Sequence, residues 1–199
     1  MEITTAMVKE LREATGAGVL DCRKALEATG GDFDAAVAYL REKGLAEAAK
    51  KVDRAAREGV IEAYVHHGSR VGVILELNCE TDFVARTEEF RALAHDLALH
   101  IAFANPRYLS RDRVPAEVVE EERRIYRTQA LEEGKPENVV DRIVQGKLEK
   151  FYQSVCLLEQ AFIKDEDRTV EQVLKEHTAL LGENIVVRRF ARYELGESI

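Results

Sequence analysis

The sequence predicts an α+β protein in which an N-terminal three-helix bundle precedes a small antiparallel sheet with helices packed on it. Three observations predict it. Over the first fifty-odd residues apolar side chains recur at spacings of three and four, in short segments punctuated by glycine. From Gly59 the period changes to two, in two apolar runs flanking His66-His67-Gly68-Ser69. Beyond Thr87 the helical period returns and dominates until an alternating segment at 184–193. Helices followed by strands followed by helices, without a regular alternation, argue for segregated layers rather than a parallel sheet.

Each element has its own local cause. Thr4 and Thr5 can cap a first helix whose apolar face is Met7, Leu11 and Ala14, and Thr15-Gly16-Ala17-Gly18 stops it, since glycine takes the left-handed conformation at little cost. A second helix carries Val19, Cys22 and Leu26 on one face and ends at Gly30-Gly31. Asp32 caps a third, with Phe33, Ala36, Val37 and Leu40 inward, and Gly44 is expected to close it. Leu45 to about Arg57, rich in Ala and Lys, is expected to be a helical, charged connector. So small a bundle buries little core, and such modules serve more often for docking than for catalysis. The predicted division is a helical docking domain with its connector at residues 1–55 and an α+β core and dimerisation domain at 56–199.

In the second part, Val60 to Val65 and Val71 to Leu77 form a hairpin. Leu93, Leu97 and Ile101 mark a helix that begins near Thr87 and stops before Pro106. Pro115 opens a Glu- and Arg-rich helix running to Gly134. A further helix from Pro136 to Ser154 is expected to carry Val139, Ile143, Gly146 and Lys150 along one face. Leu157 to Ile163 is expected to be a strand. Thr169-Val170-Glu171-Gln172 fits a capping box for a helix bearing Leu174, Thr178 and Leu181. Asn184 to Tyr193 alternates as a last strand. A sheet of three or four strands has two open edges, and open edges invite pairing with another chain.

The charge balance excludes several classes. Among 199 residues, 29 are Lys or Arg and 37 are Asp or Glu, a net charge of −8. A broad nucleic-acid surface needs clustered cations and is not expected. No apolar run approaches the roughly 20 residues of a membrane span. Met1-Glu2-Ile3-Thr4-Thr5 lacks the basic flank and apolar stretch of a secretory signal, so a cytoplasmic protein is expected. Cys22, Cys79 and Cys156 form no C-x-x-C pair, which removes zinc and thioredoxin-like sites. Their odd number permits one intermolecular bridge.

A search for chemistry returns little. Gly146-Lys147-Leu148 lacks both the upstream glycine and the Ser or Thr of a phosphate-binding loop, and Gly16-Ala17-Gly18 has Asp21 where a dinucleotide site needs glycine. His66 and His67 are adjacent and point to opposite faces of a strand, and His95 and His100 are five apart on a helix; neither pair suits one metal ion. No base is identifiable for Cys79 as a nucleophile. No cofactor, metal or catalytic residue is expected. One segment stands apart: Thr81-Asp82-Phe83-Val84 lies between the hairpin and the helix cap at Thr87. Burial statistics favour Phe83 in the core. A loop held between two elements is also how proteins present a recognition tip, and composition does not choose between them.

The stretch from Val71 through Leu77-Asn78-Cys79-Glu80-Thr81-Asp82-Phe83-Val84 to Ala85 closely resembles the signature of the elongation factor Ts family, the nucleotide exchange factors for elongation factor Tu. So do Val8 to Glu13, Thr15 to Gly18, Asp21 to Leu26, Thr169-Val170, Leu174 to His177, Glu183-Asn184-Ile185 and Arg188-Arg189-Phe190, in order over nearly the whole chain. The resemblance implies that the N-terminal bundle, similar to ubiquitin-associated folds, docks on the GTPase domain of Tu through Val19 and Leu20; core packing is the other reading of these two. It also implies that Thr81, Asp82, Phe83 and Val84 form the element that dislodges Mg²⁺, with Phe83 inserted as a wedge. Longer family members carry the sheet-containing unit twice, whereas the hairpin motif occurs here once. A homodimer would supply the second unit, with Cys156 as the candidate subunit contact or bridge. Two other classes compete: a ribosome- or RNA-associated module, suggested by Arg123-Arg124 and Arg188-Arg189, and an enzyme using Cys79 or a histidine pair.

Overall fold

The structure, a computed structural model, describes residues 3–197. In chain order its elements are α1 (Thr5–Thr15), α2 (Val19–Ala28), α3 (Phe33–Ala49), β1 (Glu58–Val65), β2 (Val71–Cys79), α4 (Asp82–Ala85), α5 (Glu88–Ala104), α6 (Ala116–Glu132), α7 (Glu137–Val155), β3 (Ala161–Phe162), β4 (Asp165–Thr169), α8 (Val170–Leu181) and β5 (Val186–Glu194). Strands β1, β2 and β5 form an antiparallel sheet in the order β1-β2-β5, and β3 pairs with β4 in a separate two-stranded ribbon. The predicted α+β class is what the chain adopts. The chain falls into two compact units. One comprises the residues up to Val60, Asn78–Arg91 and Leu174–Val186; the other comprises Ile61–Leu77, Ala92–Val173 and the residues from Val187 onward.

In the first unit the caps lie where the sequence places them. The Thr4 hydroxyl accepts the Met7 N–H at 3.3 Å, Gly16 ends α1 at φ 67°, and the Asp32 carboxylate accepts the Ala35 N–H at 2.9 Å. Val8, Leu11, Cys22, Ala25, Leu26 and Ala36 form the buried centre of the bundle, with Met7, Phe33, Val37 and Leu40 packed around it. Gly44 does not close α3, which continues to Ala49, so only the start of the predicted connector is helical. The glycine serves close approach instead. A Cβ added there would lie 3.1 Å from the Cβ of Ala179 on α8, and the neighbouring Arg41 guanidinium pairs with Glu176 of α8 at 2.9 Å.

In the second unit Val73, Leu75 and Leu77 of β2 and Leu93, Leu97 and Ile101 of α5 are buried. The register between β2 and β5 is fixed by the Leu195 N–H donating to the Arg70 carbonyl at 2.8 Å and by the Arg189–Glu76 pair at 2.7 Å. Helices α6 and α7 form a hairpin. The buried face of α7 is Val140, Val144, Leu148, Phe151 and Val155 rather than the predicted Val139, Ile143, Gly146 and Lys150. Both faces have helical period; packing against Ala130 of α6 selects the more uniformly apolar one. The strand predicted at Leu157 to Ile163 is a short 3-10 turn at Leu157–Glu159 followed by the two residues of β3. Its partner β4, Asp165-Glu166-Asp167-Arg168-Thr169, is too polar to announce itself as a strand. The capping box of α8 forms as predicted, with the Thr169 N–H donating to Gln172 at 2.9 Å and the Gln172 N–H to the Thr169 hydroxyl at 3.2 Å.

His100, fully buried on α5, ties this unit together. Its Nδ1 accepts the Ile163 N–H at 3.2 Å, which leaves Nε2 to donate to the Gln160 carbonyl oxygen at 3.1 Å; Gln160 in turn donates to the carbonyls of Ser154 and Ala104. Burial pushes the imidazole pKa down from 6.5, and an accepting Nδ1 requires the neutral ring.

Two outcomes follow. Replacing Gly44 by Leu forces a side chain between α3 and α8 and lowers the unfolding free energy in urea by about 1–3 kcal/mol; an unchanged midpoint would show that the helices do not meet. For His100 the unfolded chain binds a proton below about pH 6.5 that the folded chain refuses, so stability is full above that pH and declines as pH falls from there toward the folded pKa, by at most about 1.4 kcal/mol per pH unit. His100→Gln should flatten this part of the profile between pH 6.5 and 5, and an identical slope in both proteins would refute the assignment.

Candidate functional site

The segment after β2 is a braced tip. Thr81 begins the single-turn helix α4, its hydroxyl accepting the Val84 N–H at 3.5 Å. Four residues cannot sustain a helix by themselves, because nucleation fixes several dihedrals before any gain from propagation. The turn is held from outside by Glu183, just beyond α8. One carboxylate oxygen of Glu183 accepts the N–H groups of Glu80 and Thr81, both at 3.0 Å, and the other accepts the Thr81 hydroxyl at 2.6 Å. The exchange is reciprocal: the Glu80 carboxylate accepts the Asn184 N–H at 2.7 Å, and the buried Asn184 amide donates to the carbonyls of Val52 at 3.1 Å and Arg54 at 2.8 Å. From below, the Cys79 thiol donates to the Thr81 carbonyl at 3.1 Å.

On this base the side chains of α4 divide by face. Ala85 is buried, whereas Phe83 is 80% exposed, the most exposed large apolar residue among the described residues. The core position that burial statistics favour for Phe83 is therefore overturned; a four-residue turn has one inward face, and Ala85 occupies it. Asp82 pairs with Arg86 one turn along at 2.7 Å, an exposed contact of the kind that contributes roughly 0.3–0.5 kcal/mol.

Val19 and Leu20 stand in the first turn of α2 immediately after Gly18, 49% and 72% exposed, while Cys22 and Leu26 of the same helix are fully buried. Core packing thus holds for neither of the two. A hydrogen bond and ion pair at 2.7 Å between Lys43 and Asp21 fastens this end of α2 to α3, and the Lys43 ammonium holds the Asp21 carboxyl below its usual pKa. Both predicted site segments belong to the first compact unit, although about sixty residues separate them in sequence.

The remaining candidates fare differently. Cys156 is fully buried, beside Val114, Phe151 and Val155, and burial pushes its thiol up to about 11. A sulfur so enclosed offers no surface to a partner's sulfur in this conformation, so the structure lends no support to Cys156 as the predicted subunit contact or bridge. Cys79 is also buried and its thiol is raised to about 11, first by desolvation and then by the charge of Glu183, the opposite of an activated nucleophile. His95 bonds Glu62 at 3.0 Å on the surface while His100 is inside, so the two do not converge. Among the described residues no cluster of His, Cys, Asp or Glu is placed to hold a metal ion, and no helix is long and apolar enough to cross a membrane.

Glu80, Glu183 and Asn184 carry the tip yet had no role in the sequence reading. Periodicity does not mark them, because Thr81 and Glu183 are 102 residues apart. The signal for them is that Glu80 and Glu183-Asn184 fall within blocks resembling a family.

The fold and site define an α+β protein that displays apolar side chains on a braced tip and at a helix start. Its sequence matches the family model described as Elongation factor TS over residues 4–197. It is 60% identical to Elongation factor Ts of Desulfitobacterium hafniense over 198 residues, covering 100% of this chain and 91% of that one. It is 58% identical to the Elongation factor Ts of Heliobacterium modesticaldum (99% of this chain, 92% of the relative) and 59% identical to that of Caldanaerobacter subterraneus subsp. tengcongensis (99% and 98%). The chain belongs to the elongation factor Ts family and has a role in translation elongation.

Proposed function

We propose that this chain is a cytoplasmic guanine-nucleotide exchange factor for elongation factor Tu, which binds the GDP-loaded GTPase, displaces Mg²⁺ and promotes release of GDP without making or breaking a covalent bond. The observation that carries this reading is Phe83, exposed on a turn that Glu183 holds rigid. Leaving a large aromatic ring in water is unfavourable unless a partner covers it.

The mechanism follows from linkage. A factor that binds the nucleotide-free GTPase more tightly than the loaded form weakens nucleotide binding by the same factor. An aromatic ring pressed between packed elements displaces them, since close-packed interiors shift rather than compress. Displaced groups coordinate Mg²⁺ poorly, and the phosphates lose their main counter-charge. The Asp82–Arg86 pair supports a role for Asp82 in stiffening the turn that carries the ring. Val19 and Leu20 supply the docking contact, held clear of the bundle core by the burial of Cys22 and Leu26.

A second copy of the chain is part of this reading. One face of the β1-β2-β5 sheet bears exposed Ile61, Val65, Ile74 and Tyr193 around the Glu76–Arg189 pair, an apolar patch suited to a matching face. The RNA-binding alternative gains nothing: Arg123 and Arg124 pair with Glu120 and Glu121 on their own helix, and Arg189 pairs with Glu76.

Release of labelled GDP from elongation factor Tu is the direct test. The chain should accelerate release, Phe83→Ala should lose about ten- to a hundredfold, as burial of one aromatic ring is worth about 1.5–3 kcal/mol, and Asp82→Ala about twofold. No acceleration by the unmodified chain would end the exchange reading. In sedimentation at micromolar concentration the chain should run at twice its mass and Ile74→Asp at the monomer mass; a monomeric parent chain would remove the dimer.

A further inference from the structure

Phe83 has almost no packing of its own, so the direction of its ring is inherited from the backbone of α4. That backbone has one weak internal cap, the 3.5 Å contact from the Val84 N–H to the Thr81 hydroxyl. Just ahead of the turn the strong contacts come from a single carboxylate: Glu183 accepts three hydrogen bonds, two from N–H groups and one from a hydroxyl, all from Glu80 and Thr81, while the far end is held by the Thr87 hydroxyl donating to the Val84 carbonyl at 2.8 Å. Hydrogen bonds to an ionised acceptor are about twice as strong as neutral ones. Glu183 is itself fixed by its neighbour, since Asn184 is buried and bonded through its side chain to Val52 and Arg54 and through its N–H to Glu80.

We propose that Glu183 is a positioning residue for exchange: it sets the orientation of the Phe83 ring by clamping the chain just ahead of it, and does not itself contact the partner. The proposal rests on the exchange reading above. A clamp of this kind acts after docking. Glu183→Ala therefore leaves the factor able to bind through Val19 and Leu20 but makes a bound factor less effective, because an unbraced tip must be ordered anew in each encounter.

The test uses the full chain and elongation factor Tu loaded with labelled GDP. Glu183→Ala should lower the release rate at saturating factor by about tenfold, in line with the loss of charge-assisted hydrogen bonds, while the half-saturating concentration moves less than about twofold. In a Phe83→Ala background the same change should add less than about twofold, because both substitutions act on one ring. Glu183→Gln, which keeps a carbonyl oxygen for the two N–H groups, should recover most of the rate. Hydrogen exchange on the chain alone should show the amides of Glu80 and Thr81 losing protection in Glu183→Ala, with Val73 to Leu77 unchanged. Normal release by the parent chain and loss in Phe83→Ala, together with an unaltered saturating rate in Glu183→Ala, would overturn this proposal alone. So would a loss that adds in full to that of Phe83→Ala, or one accompanied by deprotection throughout β2. A parent chain that fails to accelerate release would overturn the exchange reading and this proposal together.

Discussion

The geometry of the tip depends on one carboxylate, that of Glu183, accepting three hydrogen bonds from two consecutive residues. A strand ending in an unattached loop would leave its last N–H groups to water and the following turn free to unwind. Here the end of β2 is locked to the segment that leads into β5, and Glu80 and Asn184 close the same junction from the other side. Because the donor of each bond is a backbone N–H or the short Thr81 hydroxyl, little freedom is left on that side of the joint. The one-turn helix α4 exists because its first residues are already fixed.

That fixed base is what allows the first unit to hold an aromatic ring in solvent. An exposed phenylalanine on a mobile loop would collapse onto any apolar surface within reach. On a turn whose inward position belongs to Ala85, the ring has no route inside. Val19 and Leu20 follow the same logic at the start of α2: Cys22 and Leu26 take the inward face, and the Lys43–Asp21 bond fastens the helix end. Buried polar groups elsewhere serve structure. His100 and Gln160 satisfy backbone groups of Ala104, Ser154 and Ile163, and on the surface Arg111 joins Glu149 and Glu159 while stacking over Tyr152 at 4.6 Å.

Most helix starts and the hairpin were legible because their causes are local. Thr4, Gly16, Asp32 and the Thr169–Gln172 box act within four residues, and the change of period at Gly59 needs no distant partner. The misplacements have long-range causes. Gly44 resembles a stop until Ala179 lies against it, and the face of α7 is ambiguous until α6 chooses. The two strands of the ribbon are defined by each other, since Asp165 to Thr169 has no apolar alternation.

For the site, the sequence by itself determined which segments matter, through the ordered blocks that include Thr81-Asp82-Phe83-Val84 and Glu183-Asn184-Ile185, and it determined the family. Only the tertiary structure decided that Phe83, Val19 and Leu20 face solvent, that Cys156 does not, and that Glu183 grips Thr81. The physical reason is that exposure is a property of what else occupies the space. A residue's own chemistry sets the free energy of burying it, but residues a hundred positions away decide whether there is anything to be buried against.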